Sequence, residues 1–392
     1  MPSILRSPNV RRATLGAVPV RTPGIVLVVN HDSAADFMLA AGDIMQRHQL
    51  RANMVLPYAL EYQAKEGNGK SIPTAADSQH WWRERLSSII AQQGRGGSGN
   101  DGSFPVYREA YFISVWTVNA GVTSLDFAIA CAGKKPLFLF SPRDKSDFTP
   151  EFLQPRMSAL AGRMLAVIPS KRVFSMFGHT RPIRSLAAEW SNISGHSVYT
   201  NRSTRTVEPF YHASYTFCTP QTFTGARALP PNHRVRIADA NHSLKAAPLC
   251  EEFANDSVFF PLSREGAVQQ AADMIAKRQL WVYEVFDPRT QAVEVVSLVA
   301  VTRDTDNIAA ISKVFTSPEW RGKGFARSIV AIVCREVLKH KSRVVLYVAH
   351  DNPAAATVYG RVGFVGVGEN RPHPEVEDWI ELGFNNTVLG FW

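Results

Sequence analysis

The chain is sparing with cysteine: Cys131, Cys218, Cys250 and Cys334 are the only four in 392 residues, none in a Cys-x-x-Cys spacing and each inside an apolar run. That excludes a disulfide framework, gives no sign of a cysteine zinc site, and reads as buried thiols in a reducing compartment. Long apolar runs are also missing. No stretch approaches the roughly 18 uncharged apolar residues of a membrane span, so a soluble protein with no membrane partner is expected. There is no basic block either. The formal net charge is +9, but Lys and Arg are scattered, which argues against nucleic acid as a partner. No acidic residue precedes Asp32, whereas Arg6, Arg11, Arg12 and Arg21 do, the charge bias of a mitochondrial transit peptide. Pro2, Pro8, Pro19 and Pro23 would break the amphipathic helix such a peptide needs. Residues 1–23 are therefore read as a basic, disordered tail and the location as cytoplasmic, with a mitochondrial one as the alternative.

What is present is ordinary for a globular protein: 45% apolar and 20% charged residues, in a length that suits two domains. A strand at 25–29 leads to a helical pattern, Phe37, Ala40, Ala41, Ile44 and Met45, and a second helix is expected at 54–65. The glycine-rich stretch 92–102 reads as a flexible loop; no Lys-Ser or Lys-Thr follows, so it is not a nucleotide loop. Strands at 110–118 and 123–132 flank the hairpin signal Asn119-Ala120-Gly121, and a third at 136–140 completes an antiparallel meander. Helices at 150–166 and 183–193, a strand at 173–177 and an extended piece at 198–207 follow. The aromatic stretch 210–217 and the Trp81-Trp82 pair read as core or interdomain packing, or as the lining of an apolar pocket.

Pro220, Gly225, Pro230 and Pro231 mark a linker, and the boundary between an N-terminal domain (24–228) and a C-terminal one (229–392) is placed near residue 228. After it the pattern reads strand 234–238, helices 244–253 and 264–277, strands 280–286, 292–302 and 308–315, a glycine loop, helix 325–340, strand 343–348, helix 354–362 and strands 364–368 and 378–384. The fold class is α+β, a mostly antiparallel sheet flanked by helices.

The loop Arg321-Gly322-Lys323-Gly324-Phe325-Ala326 stands between a β-branched run and an unbroken helical one. Two glycines let backbone N–H groups turn inward, the following helix adds the positive end of its dipole, and Arg321 and Lys323 add full charges. An anionic cofactor is expected there.

This order of elements, the loop pattern of Arg321, Gly324 and Ala326, and the later Asn352-to-Tyr359 helix resemble the GNAT superfamily of acyl-CoA-dependent N-acyltransferases. The run Val314-Phe315-Thr316-Ser317-Pro318-Glu319-Trp320-Arg321-Gly322-Lys323-Gly324-Phe325-Ala326 looks like a two-domain subfamily in which a GNAT-like half without the cofactor motif precedes the catalytic half. The first half carries no such loop, yet its elements follow in the same order. The resemblance implies acetyl-CoA as co-substrate, its pyrophosphate on the backbone of 322–326 and its pantetheine arm along Val314, Phe315 and Thr316. It also implies that Asn352 holds an amide of that arm or caps its helix, and that Tyr359 is the acid for the departing thiolate. Transfer of acetyl to a primary amine, of a small molecule, by direct attack in a ternary complex is the implied activity. A non-catalytic acyl-CoA-binding protein and a protein-lysine acetyltransferase are the alternatives. No base is singled out: Glu284, Glu294, Asp304 and His350 are candidates. His233, His242, His340 and His373 lack the spacing of metal ligands, and no metal is expected. Neither the acceptor nor the oligomeric state follows from the sequence.

Overall fold

The computed structural model describes residues 24–69, 71–94, 108–256 and 259–390. The expected tail at 1–23 and most of the 92–102 loop lie outside them. Along the first half run β1 (Ile25–His31), α1 (Ala34–Arg47), α2 (Gln49–Ala52), α3 (Leu56–Lys65), α4 (Ala75–Gly94), β2 (Ala110–Asn119), β3 (Val122–Ala132), β4 (Leu137–Phe140), α5 (Pro150–Val167), β5 (Ser175–His179), α6 (Thr180–Ser194) and β6 (Tyr211–Cys218). The second half repeats the plan with β7 (His233–Ile237), α7 (Ser243–Asn255), α8 (Arg264–Ala276), β8 (Leu280–Asp287), β9 (Ala292–Thr302), β10 (Ile308–Thr316), α9 (Phe325–Val337), β11 (Arg343–Ala349), α10 (Pro353–Val362) and β12 (Glu377–Gly383).

Among the described residues, all twelve strands join one sheet, in the order β1-β2-β3-β4-β5-β12-β6-β11-β10-β9-β8-β7. Only β4–β5 and β10–β11 pair in parallel. The centre of this sheet is an exchange. β6, the last strand of the first half, lies against β11 of the second, and β12, the last strand of the second, lies against β5 of the first. The two exchanged strands then pair with each other. The boundary near residue 228 falls between β6 and β7, in a stretch without regular elements, but the hydrogen-bonded sheet runs across it.

The helices cover both faces. α1, α3 and α4 bury Phe37, Met38, Leu60, Trp81 and Trp82 in a core that also takes in Ile308, Ala310 and Val345 of the second half. On the other side of the first half, Leu153, Leu160, Ile183 and Trp190 of α5 and α6 pack on Ile113, Phe127, Ile380 and Leu382, the last two supplied by exchanged β12. In the second half α9 and α10 pack over Val344, Leu346 and Val348, and α7 and α8 pack over Val282, Leu298 and Phe315.

Four local readings change. Residues 75–94 form a helix that the sequence pattern did not reveal, and within it Trp81 and Trp82 are core residues, Trp82 edge-on to Trp116 at 4.5 Å. The expected strand at 198–207 is reduced to two isolated bridges, Val198 to Phe384 and Thr200 to Val207. The expected strand at 364–368 is a loop whose Gly366 and Gly368 have φ of 67° and 65°, which a pleated strand does not admit. Residues 210–217, read as aromatic packing, form most of β6: Tyr211, Ala213, Tyr215 and Phe217 alternate with His212, Ser214 and Thr216 at the period of a strand.

Candidate functional site

β10 and β11 pair only through Ile308 with Arg343, Ala309 with Val344 and Ala310 with Val345. Beyond that point they part. β10 bulges against β9 between Ile311 and Lys313 and stays bonded to it as far as Thr316, while β11 stays bonded to β6 as far as Ala349. A bulge adds twist and bends its strand, so the two neighbours are pulled to opposite sides. The backbones of 311–316 and 346–349 thus line an open wedge, with Val314, Phe315 and Thr316 on one wall.

The glycine loop follows β10 at this parted end. After a 3-10 turn at Pro318–Trp320, Gly322 and Gly324 take φ of 77° and 83°, the left-handed region where a side chain is strained. No atom lies within 4 Å of a Cβ built at either position, so glycine is needed for conformation and not for room. Gly324 begins α9 with no side-chain cap, whereas Ser33, Thr149, Ser263 and Asn352 cap α1, α5, α8 and α10. The first N–H groups of an α-helix have no intrahelical acceptor, and here no capping side chain among the described residues supplies one. Loop and helix together present the donors that an anion fits.

The charges beside it are held in place. Arg321 Nε donates to the Thr316 carbonyl at 3.0 Å, and its guanidinium lies over the Phe315 ring at 5.1 Å and 3.7 Å from Asp256. The Lys323 ammonium stands 4.5 Å from the Trp320 ring centroid. Phe325 anchors the helix start between Tyr283 and Trp320, and Ala326 follows it on the first turn.

Tyr359, on α10, is 8% exposed and packs against Phe364 at 5.7 Å between ring centroids. Burial, with Cys334 adding to it, raises its phenol well above the ordinary range, so it stays protonated at neutral pH and able to donate. Asn352 Oδ1 accepts from the Ala355 N–H at 3.0 Å, so the helix cap occupies this oxygen and leaves the amide nitrogen.

The base candidates differ sharply in surroundings. Glu284 accepts from Arg236 Nε at 2.9 Å and lies 2.9 Å from His242 Nε2. Burial favours its protonation, but these two partners outweigh it and hold the carboxyl below the ordinary range. Glu294 accepts from Trp320 Nε1 at 2.9 Å. Asp304 pairs with Lys341 at 2.8 Å, just before the start of β10 and away from the glycine loop. A cavity of about 530 Å³ opens there, between α1, α3 and the β9–β10 connection. His350 directly follows β11 at the parted end, 3.1 Å from Ser214 Oγ and 3.2 Å from Asp378 Oδ1.

Sequence reasoning missed Lys313. It sits at the bulge with its ammonium 4.5 Å from the Phe253 ring centroid, and burial lowers its pKa to about 8. A lysine in an alternating strand ordinarily reads as a solvent-facing residue, so the pattern carried no signal. His212 and Asp378, which meet His350, are distant in sequence and were equally invisible.

Residues 291–371 match the family model of FR47-like protein. No curated protein matches. Among solved structures, the chain is similar to a Drosophila protein at 11% identity and a TM-score of 0.49, covering 91% of this chain and 98% of that one. It is likewise similar to a GCN5-related N-acetyltransferase from Sphaerobacter thermophilus, at 13% identity and a TM-score of 0.43, over 93% and 96%. A third similar structure is a tandem GNAT protein from the clavulanic acid biosynthesis pathway, at 12% identity and 0.43, over 91% and 98%. The FR47-like segment runs from β9 through α10 and so contains the wedge, both loop glycines, Asn352 and Tyr359. That segment of the second half is the part of the chain that is similar to the FR47-like family.

Proposed function

We propose that the protein transfers acetyl from acetyl-CoA to a primary amine of a small molecule, by direct attack within a ternary complex. The observation that carries this reading is the uncapped start of α9 behind two left-handed glycines, set at the mouth of the β10–β11 wedge. A pyrophosphate fits the donors of 322–326, with Arg321 and Lys323 as neighbouring charges. A helix terminus interacting with an anion gives about 0.3–1 kcal/mol when exposed and up to roughly 2 when partly buried, so the backbone hydrogen bonds supply most of the affinity. The edge of β10 at Val314, Phe315 and Thr316 that faces away from β9 suits an extended arm that pairs as an added strand, and an N–H there would polarise a thioester carbonyl. Acetyl-CoA supplies the activated acyl group.

The remaining chemistry belongs to side chains. The new C–N bond forms as the C–S bond breaks, the amine losing a proton and the thiolate gaining one. Tyr359, buried and protonated, is the donor to the thiolate, and the Asn352 amide nitrogen is free to hold the arm. The test is release of free thiol from acetyl-CoA across a panel of amines. Amine-dependent release is expected, and Tyr359→Phe should lower turnover about 10²–10⁴-fold with acetyl-CoA affinity retained. Unchanged turnover in that variant would remove Tyr359 from its role. Tight acetyl-CoA binding with no release for any amine would favour a non-catalytic binding protein.

A further inference from the structure

The strand exchange assembles a second constellation. His212 on β6, Asp378 on β12 and His350 at the end of β11 come from three neighbouring strands, and their ligand atoms lie within 4.8 Å of one another. Both imidazoles place Nε2 near the same oxygen, His212 at 3.0 Å and His350 at 3.2 Å from Asp378 Oδ1. That oxygen is buried, yet among the described residues it accepts no hydrogen bond of acceptable geometry, so the separations are short without the directionality of a bond. The other carboxylate oxygen is fixed: Thr180 Oγ1 donates to Oδ2 at 2.8 Å, and His212 Nε2 stands 3.1 Å from it.

We propose that His212, His350 and Asp378 bind one divalent transition-metal ion of the zinc class. Ligands at about 2.0–2.1 Å from a tetrahedral ion stand about 3.3 Å apart along an edge, close to the two separations found. Two imidazoles with one carboxylate favour zinc, iron, cobalt or nickel over calcium or magnesium, which prefer all-oxygen shells. The Thr180 hydroxyl is the outer-shell partner that orients a ligating carboxylate. Side-chain exposures of 36%, 41% and 46% for His212, His350 and Asp378 leave positions open to water, the mark of an open site and not a closed four-ligand structural one. Ser214 Oγ, 3.1 Å from His350 Nε2, is a neighbouring oxygen. The ion would tie both exchanged strands to β11 beside the wedge.

The experiment uses the full chain, stripped with a chelator and dialysed, and titrated with Co²⁺ while the visible d–d absorption is followed, then with Zn²⁺ in competition. One saturable site per chain at micromolar concentrations is expected. His212→Ala and the near-isosteric Asp378→Asn should each weaken binding at least tenfold, and Zn²⁺ should raise the melting temperature of the parent chain but not of the variants. Metal-free melting curves establish that the variants fold; if His212→Ala does not, Asp378→Asn decides. Absence of saturable uptake, or uptake unaltered in a folded variant, overturns the site. Acyl transfer is not the readout, so either outcome is independent of the proposed activity.

Discussion

At the scale of single residues, backbone conformation and burial separate the important positions from their neighbours. Gly324 has open space around it, so Gly324→Ala adds no clash but forces a left-handed alanine, at a cost of roughly 1–2 kcal/mol. The chain should fold with a slightly lowered melting temperature and bind acetyl-CoA severalfold more weakly by calorimetry. Lys313 makes a prediction in pH. The unfolded chain releases this proton near 10.5 and the folded chain near 8, so between these values the unfolded state holds more protons and stability rises with pH. Lys313→Met should therefore stabilise the protein at pH 7 by about 1–2 kcal/mol and flatten part of that rise. Lys135, also lowered to about 8 by burial, keeps the remainder. Denaturant melts at pH 7, 8, 9 and 10 measure both. The glycines' left-handed conformation was legible because it follows from local sequence. Lys313 was not, because Phe253, over whose ring its ammonium lies, belongs to α7, an element remote in the chain.

At the scale of elements, α5 and α9 occupy equivalent places in the two halves and differ at their first turns. Thr149 caps α5 by accepting from the Phe152 N–H, and Pro150 at its first turn has no N–H to offer. The parallel pairing of β4 with β5 also stops early, after Leu137 with Met176 and Phe138 with Phe177. What would be the equivalent wedge is filled: Arg51 donates to Glu377 at 2.7 Å, to Asp144 at 3.1 Å and to the Arg143 carbonyl at 3.1 Å. The cavity left beside it, about 10 Å³, holds no more than one water. Calorimetry should accordingly give one acetyl-CoA per chain, and Thr149→Ala should cost about 1 kcal/mol of stability without changing that affinity. Two sites per chain would contradict this. The missing loop in the first half could be read from sequence, whereas the filling of its wedge could not, since Arg51 and Glu377 meet only in the fold.

At the scale of the whole molecule, the exchange of β6 and β12 makes the halves interdependent. A fragment beginning near Arg234 would lack β6, exposing the backbone of β11 from Val344 to Ala349, and would uncover Ile308, Ala310 and Val345, which pack with the helices of the first half. An unpaired apolar edge of this kind invites aggregation. The fragment is expected to be insoluble or unfolded, and the full chain to unfold in one cooperative transition by calorimetry; a soluble fragment that binds acetyl-CoA would contradict the first expectation. Among the described residues, no helix is long and apolar enough to cross a membrane.

The sequence by itself determined the repeated order of elements and the left-handed glycine form of the 321–326 loop, and it singled out Asn352 and Tyr359 as the residues of the later motif. These depend on periodicity, glycine conformation and motif spacing, all of which act over a few residues. Only the tertiary structure decided which strand lies beside which, that β10 and β11 part after three pairs, that Glu284 is engaged by Arg236 and His242, and that His212, His350 and Asp378 converge. Strand edges offer nearly equivalent backbone hydrogen bonds to any partner, so the choice among them is made by the packing of both faces at once, and a linear reading does not contain it.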